Sequence, residues 1–204
     1  MPHSCFVVSY HLERFSVSTD PQTLDQLLAR ISSHFVGSDL PGLICIDGPA
    51  GSGKTTLAAQ LGAELPAQII HMDDLYEGWT GIEQGAQHLE EWVLEPFMSG
   101  KPGRYRRYDW EKQAYSERHL VPLADRLVVE GCASATRLVD KYNPFVIWVE
   151  TDRTTRLRRG LERDGEHLRQ EWLTFMDQEE RIYRANQTRV RAHLRLNGIG
   201  RITD

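Results

Sequence analysis

The chain has 204 residues, of which 40% are hydrophobic and 26% charged, and its formal net charge is −5. These values are typical of a globular domain and argue against a basic surface that would attract nucleic acid. No apolar run approaches the ~20 residues needed to cross a bilayer, and the N-terminus lacks the basic-then-apolar order of a signal peptide, so we expect a cytoplasmic protein without a membrane partner.

Residues 1–42 are predicted to form an N-terminal extension with one helix. The apolar run Phe6-Val7-Val8 fits either an added edge strand or a tail. Asp20-Pro21 is a helix start signal, because Asp caps the first helical amides and Pro is favoured at the first helical position. Apolar residues then repeat at helical spacing, namely Leu24, Leu27, Leu28, Ile31 and Phe35.

The next segment, residues 43–56, combines an apolar strand, a glycine-rich turn and the start of a helix. This order is typical of a phosphate-binding loop, in which backbone amides and a helix N-terminus surround an anion. In such a loop Lys54 contacts the terminal phosphates and the Thr55 hydroxyl holds magnesium. We therefore predict that a nucleoside triphosphate and Mg²⁺ bind here. The predicted nucleotide-binding residues are Gly48, Ala50, Gly51, Ser52, Gly53, Lys54, Thr55 and Thr56.

Two carboxylates, Asp73 and Asp74, follow a second predicted strand at residues 68–72. Ligands of open α/β sheets bind beyond the carboxyl ends of the strands, so both side chains are candidates for chemistry. Residues 79–87 contain glycine and are predicted to form a loop. An amphipathic helix is expected from residue 89 to residue 98, where Gly100 ends it.

Residues 101–110 alternate basic and aromatic side chains, including Arg107 and Tyr108. They fit either a solvated hairpin or a wall of the substrate site, since arginine and aromatic faces bind phosphates and planar groups. Residues 127–131 form another apolar strand, which ends in Glu130. This carboxylate is interpreted either as a magnesium partner or as the cap of a turn.

Apolar strands at 145–150 and 194–196 flank an arginine-rich helix and a long amphipathic helix. Arg159 and Arg163 lie four residues apart and so share a helix face. Residues 152–166 are thus either an ordinary exposed helix or a lid that closes over phosphates. The alternation of strands and helices predicts an α/β fold, a mainly parallel five-stranded sheet with helices on both faces.

In order and spacing, these segments resemble the uridine kinase family and, more loosely, phosphoribulokinases and bacterial pantothenate kinases. The segments that carry the resemblance are the loop at 48–56, Asp73-Asp74-Leu75-Tyr76, Tyr108-Asp109-Trp110, Glu130-Gly131 and the arginine-rich run ending in Arg163-Asp164. The resemblance implies the three-layer sandwich of P-loop NTPases over residues 43–204, with an arginine-rich lid. It also implies an ATP-dependent kinase that phosphorylates a hydroxyl of a small molecule.

The resemblance also implies individual roles. Asp73 resembles the general base, with Asp74 as its competitor, and Glu130, Thr55 and Asp73 resemble the magnesium partners. The predicted substrate pocket contains Tyr76, Tyr108 and Arg107, together with Asp73 and Glu130. Lys54, Arg159 and Arg163 correspond to the cations that act on the transferred phosphate.

One departure from the family leaves the acceptor open. No Asp-His-Pro triplet, which would hold ribose, lies between Tyr76 and Leu89. A nucleoside is the first candidate, a pantothenate- or sugar-like metabolite the second, and a regulatory protein that binds ATP without transferring phosphate the third. The sequence also leaves open whether the chain forms homo-oligomers.

Overall fold

A computed structural model of the protein describes residues 19–203, so Phe6-Val7-Val8 lies outside the described residues. In this range the helices are α1 (Pro21–His34), α2 (Lys54–Glu64), α3 (Ile82–His88), α4 (Glu95–Met98), α5 (Arg153–Asp164), α6 (Arg169–Asn186) and α7 (Thr188–Arg191). The strands are β1 (Gly42–Asp47), β2 (Gln68–His71), β3 (Gly103–Asp109), β4 (Ala114–Val121), β5 (Arg126–Glu130), β6 (Phe145–Glu150) and β7 (Leu194–Asn197).

Five strands form one sheet in the order β2-β5-β1-β6-β7, and all its neighbours are parallel. Strands β3 and β4 form a separate antiparallel hairpin. The predicted five-stranded parallel sheet is therefore confirmed. The apolar strand β1 lies at its centre, so the loop that follows β1 is positioned between the other strand ends.

Side chains of β1 alternate between two hydrophobic cores. Leu43 and Cys45 face the core that includes Phe97 and Phe175, whereas Ile44 faces the core built from α1 and α2. A strand buried on both faces requires cover on both sides of the sheet. The helices supply it, which confirms the predicted three-layer arrangement.

Helix α1 begins as the sequence predicts. Pro21 is its first residue, and Asp20 Oδ1 accepts a hydrogen bond from the Thr23 backbone N–H at 3.1 Å. Leu27 and Ile31 are fully buried against the sheet.

The prediction of a loop at residues 79–87 is largely wrong. Gly78–Thr80 is a short 3₁₀ turn, and helix α3 then continues through a π-helical segment, Leu89–Leu94, into α4. Gly85 explains the difference, because a Cβ there would lie 2.5 Å from the buried ring of Tyr76. The glycine allows the helix to pack closely on that ring. From sequence composition alone, a glycine needed for such packing looks the same as a glycine that marks a loop.

The arginine-rich segment forms helix α5, and Asp152 caps its N-terminus. The Oδ1 atom of Asp152 accepts a hydrogen bond from the Thr155 N–H at 2.9 Å. The helix packs on α6 at Gly160, where a Cβ would lie 2.3 Å from the Trp172 ring. Within residues 19–203 no helix is long and apolar enough to cross a membrane.

The contact between Gly160 and Trp172 can be tested by mutation. Gly160→Ala is expected to lower the free energy of unfolding by about 1–3 kcal/mol, the usual cost of overpacking a core. Gly62→Ala is the matched helical control, because its new methyl group would meet the end of the flexible Ile69 side chain and alanine favours helix. Equilibrium urea denaturation measures both. Wild-type stability of Gly160→Ala would contradict this packing.

Candidate functional site

The glycine-rich loop joins β1 to α2, as predicted. Gly48 has φ of 143°, and a Cβ there would lie 2.0 Å from the Val149 carbonyl oxygen of β6. Only glycine therefore fits between the two strands. Gly53, with φ of 106°, precedes the first turn of α2 and leaves the helix N-terminus facing the loop. This geometry suits an anion.

Lys54 lies over the loop. Its ammonium group donates hydrogen bonds to the carbonyl oxygens of Gly48 at 2.8 Å and Pro49 at 3.0 Å. Burial alone would lower the pKa of Lys54, but the negative charges of nearby carboxylates, including Glu130 and Glu179, raise it on balance. The side chain is therefore a fixed cation at the loop.

A buried carboxylate that the sequence analysis did not single out, Asp47, anchors the start of the loop. Its two oxygens accept hydrogen bonds from the backbone N–H groups of Gly48 (2.7 Å), Ala133 (3.0 Å) and Ala135 (2.8 Å) and from the Tyr183 hydroxyl (3.1 Å). Burial raises the pKa of Asp47 to about 6, although the Ala135 and Gly48 amides oppose the rise. Asp47 thus ties the loop after β1 to the loop after β5.

A second unpredicted group, the buried Glu179 of α6, anchors the middle of the loop. One of its oxygens accepts from the Ala50 N–H at 2.7 Å, and the other accepts from Arg156 Nη1 at 2.7 Å. Arg156 also donates to the Ala50 carbonyl at 3.1 Å. The pair therefore connects the loop with both α5 and α6. The signal in the sequence was a charge on the apolar face of α6, between Met176 and Ile182.

Asp73 and Asp74 lie in different environments at the end of β2. Asp73 is exposed, but the protein around its carboxylate displaces water and thereby raises its pKa. The negative charge of Glu130 also raises the pKa of Asp73, whereas the positive charges of Arg163 and Lys54 lower it. Asp74 is 8% exposed and accepts a hydrogen bond from the Tyr105 hydroxyl at 3.2 Å. Asp73 is therefore the carboxylate that a bound molecule can reach.

Glu130 and Thr55 lie close together, as a shared magnesium ion requires. Thr55 Oγ1 donates to Glu130 Oε1 at 3.2 Å, and His71 Nδ1 contacts the same oxygen at 2.6 Å. In residues 19–203 no cluster of three or more His, Cys, Asp or Glu side chains could hold a metal by itself. Magnesium commonly binds through one or two protein oxygens together with nucleotide phosphates, and these residues fit that pattern.

The two predicted cations of α5 lie at different parts of the site. Arg159 Nη1 donates to the Gly51 carbonyl oxygen at 3.2 Å. Arg163 pairs with Asp164 at 2.7 Å, lies over the Trp172 ring, and acts electrostatically on Asp73 and Glu130. Movement of residues 152–166 as a lid stays a prediction.

The predicted substrate aromatics are less accessible than expected. Tyr76 is fully buried and its hydroxyl donates to the Cys132 carbonyl, which does not support a role in an open pocket. Tyr108 is 5% exposed. Arg107 is part of the hairpin, as one interpretation of 101–110 predicts, and it pairs with Glu117 at 2.5 Å. Trp110 contacts the same segment, because its indole N–H donates to the Asp73 backbone carbonyl at 3.0 Å.

A cavity lies on the other side of the loop, towards β7. Its lining includes Ser52, Gly53, Thr56, Arg159 and Asn197. The buried Ser52 hydroxyl has no hydrogen-bond partner among residues 19–203. The loop thus separates this cavity from the carboxylates that follow β2 and β5.

Comparisons with known proteins agree with this geometry. A family model described as an AAA domain matches residues 44–184, more than half of the chain. No curated protein sequence matches the chain.

Similar solved structures include a possible uridine kinase from Bacillus stearothermophilus, with a TM-score of 0.56 and 19% identity, over 83% of this chain and 98% of that one. A "putative fructose transport system kinase" from Silicibacter sp. TM1040 has a TM-score of 0.54 and 15% identity, over 80% and 94% of the two chains. At such identities the similarity shows the fold.

The fold and the loop define a P-loop protein, whose arrangement of sheet and helices is similar to that of these two solved structures. The chain belongs to the AAA domain family, whose model covers the glycine-rich loop, Asp73, Glu130 and most of α6.

The role of Glu179 gives a second prediction. Glu179→Ala is expected to lower the free energy of unfolding by about 3–5 kcal/mol, because it leaves the Arg156 guanidinium buried without its carboxylate. Glu180→Ala is the neighbouring control, since it removes only an exposed ion pair with Arg184 and should cost at most about 1 kcal/mol. Urea denaturation of both variants measures the difference. Equal costs would contradict the anchoring role.

Proposed function

We propose that the protein is a phosphotransferase that moves the γ-phosphate of ATP, with Mg²⁺, to a hydroxyl group of a small molecule. The observation that carries the proposal is the position of Asp73. It is exposed, it follows β2, and it is within electrostatic reach of Lys54 and Arg163. An accessible carboxylate among these cations is what the transfer of phosphate to a hydroxyl requires of a general base.

The topology supports an arrangement of the two substrates. The nucleoside part of ATP would bind in the cavity beside Arg159 and Asn197, on the β7 side of the loop. The phosphates would bind along the loop to Lys54. The acceptor would then approach from the β2 side, where Asp73 and Trp110 lie.

The proposed reaction needs little covalent participation by the protein. The acceptor oxygen bonds to the γ-phosphorus while the bond from that phosphorus to the bridging oxygen breaks, and ADP leaves. Asp73 takes the hydroxyl proton, and Lys54 and Arg163 stabilise the charge on the transferred group. Magnesium, held with the nucleotide by Thr55 and Glu130, would neutralise phosphate charge. The similarity in fold to a possible uridine kinase makes a nucleoside the first acceptor to test.

The assignment of Asp73 yields a direct test. Asp73→Asn is expected to lower acceptor-dependent ADP formation by about 10²-fold or more, the lower range for loss of a general base, while ATP binding stays nearly unchanged. Asp74→Asn is the matched control and should retain most of the turnover, because its carboxylate is buried against Tyr105. Lys54→Ala should lose both turnover and ATP affinity.

Initial rates with Mg·ATP over nucleosides, sugars, pantothenate and glycerate measure turnover, and titration calorimetry measures ATP binding. An active Asp73→Asn variant beside an inactive Asp74→Asn variant would assign the base to Asp74. Tight ATP binding without ADP release for any acceptor would favour a non-catalytic protein.

A further inference from the structure

The β3–β4 hairpin has two faces of different character, because successive side chains of a strand point to opposite sides. On the inner face, the Tyr105 hydroxyl donates to the Asp74 carboxylate at 3.2 Å, and the Tyr105 ring stacks on His119. The outer face consists of exposed residues, namely Arg104, Arg106, Arg118 and Leu120. This outer face therefore points away from the candidate site.

The arginines of the outer face lie together without negative partners. Arg106 and Arg118 are directly opposite each other in the register of the two strands, and like charges in such positions repel. In the part of the chain that the structure describes, no carboxylate lies within ion-pair distance of these two side chains or of Arg104. Arg107, by contrast, pairs with Glu117 at 2.5 Å. On a chain with a net charge of −5, this group of cations attracts a negatively charged partner locally.

The outer edge of β4 is open to a further strand. Among the described residues β4 pairs with β3 alone, whereas β3 also packs on the π-helical segment Leu89–Leu94. There a Cβ on Gly103 would lie 3.1 Å from backbone atoms of Val93. The Arg106 guanidinium donates to the Tyr115 carbonyl oxygen at 2.8 Å and so lies across β4, towards this edge. An exposed strand edge binds an extended polypeptide through its backbone N–H and C=O groups.

The surface favours a polypeptide over other anions. The backbone groups along the edge of β4 are matched by those of another strand. Leu120 is 54% exposed beside the arginines, which suits an apolar side chain rather than a phosphate. Glu111 and Glu117 are exposed on the same hairpin, so a long polyanion such as RNA would meet negative charge on either side of the arginines.

We propose that the outer face of the hairpin and the outer edge of β4 form a docking site for an acidic polypeptide segment, which adds to β4 as a third strand. Side chains opposite each other on neighbouring strands are about 5 Å apart. An acidic residue of the segment therefore contacts Arg118, and an apolar residue two positions away contacts Leu120. Docking requires neither nucleotide nor acceptor, because it uses the face of the hairpin opposite to Tyr105.

Fluorescence anisotropy tests this with the full chain and a fluorescein-labelled peptide in which glutamate and leucine alternate, with serine between them. A matched lysine peptide carries lysine at each glutamate position. Two further glutamate peptides carry N-methyl groups on one or the other alternate set of backbone amides, so that each has one blocked edge.

The glutamate peptide should bind and the lysine peptide should not, and binding should weaken as the salt concentration rises, because the charges are exposed. One of the two methylated peptides should lose binding and the other should keep it, since a third strand pairs with β4 along one edge only. Equal binding by the two methylated peptides, or by the glutamate and lysine peptides, would overturn the proposal.

Arg118→Glu isolates the arginine surface. The variant replaces one of two opposed like charges by its opposite, so the urea midpoint should stay the same or rise, and lost binding will not reflect lost folding. Affinity for the glutamate peptide should fall by at least about tenfold, because attraction becomes repulsion. Arg181→Glu makes the same charge change on the exposed surface of α6 and should leave the affinity unchanged. Wild-type affinity in Arg118→Glu would contradict the proposed site.

The same variant distinguishes other occupants of the surface. Phosphatidylserine vesicles are tested by sedimentation, a single-stranded RNA by anisotropy, and a second copy of the chain by analytical ultracentrifugation. None of these should bind more tightly than the glutamate peptide in a manner that depends on Arg118. Tighter binding of vesicles or RNA that Arg118→Glu abolishes, or a dimer that this variant dissociates, would assign the surface to that occupant and overturn the polypeptide proposal.

Discussion

The site depends on two buried carboxylates that hold backbone amides in place. Asp47 binds the first amide of the loop together with two amides after β5, and Glu179 binds the Ala50 amide from α6. A loop that surrounds an anion must keep its N–H groups pointing inward before the anion arrives, since ordering them at binding would cost affinity. The same two groups link the loop to β5, α5 and α6, so the shape of the loop and the position of the surrounding residues are set together.

The parallel sheet determines which chemistry lies on which side of that loop. Because β1 is central, strands β5 and β2 carry Glu130 and Asp73 to one side, and β6 and β7 place Asn197 on the other. The carboxyl ends of parallel strands lie at one edge, so residues far apart in sequence meet there. A nucleotide on one side and an acceptor on the other would place a phosphate between them, which is the arrangement that in-line transfer requires.

Much of this could be predicted from sequence because it is encoded locally. The strand, glycine turn and helix around Lys54 occupy one continuous segment, and Asp73 and Glu130 each end an apolar run. The anchoring role of Glu179 could not, because it contacts Ala50 across 129 positions of the chain. The helix at Ile82–His88 was missed for a similar reason, since Gly85 is explained by the Tyr76 ring that packs on it. Asp73 and Asp74 look equivalent in sequence, and only the structure shows that Asp73 is exposed and Asp74 is buried.

The most direct measurement is a crystal structure of the protein with Mg²⁺, a non-hydrolysable ATP analogue and the best-bound acceptor. We expect the triphosphate along residues 48–55, and the acceptor hydroxyl within about 3 Å of an Asp73 oxygen, in line with the γ-phosphorus. A triphosphate bound elsewhere, or an acceptor hydroxyl that contacts Asp74 while Asp73 faces solvent, would contradict the proposed site.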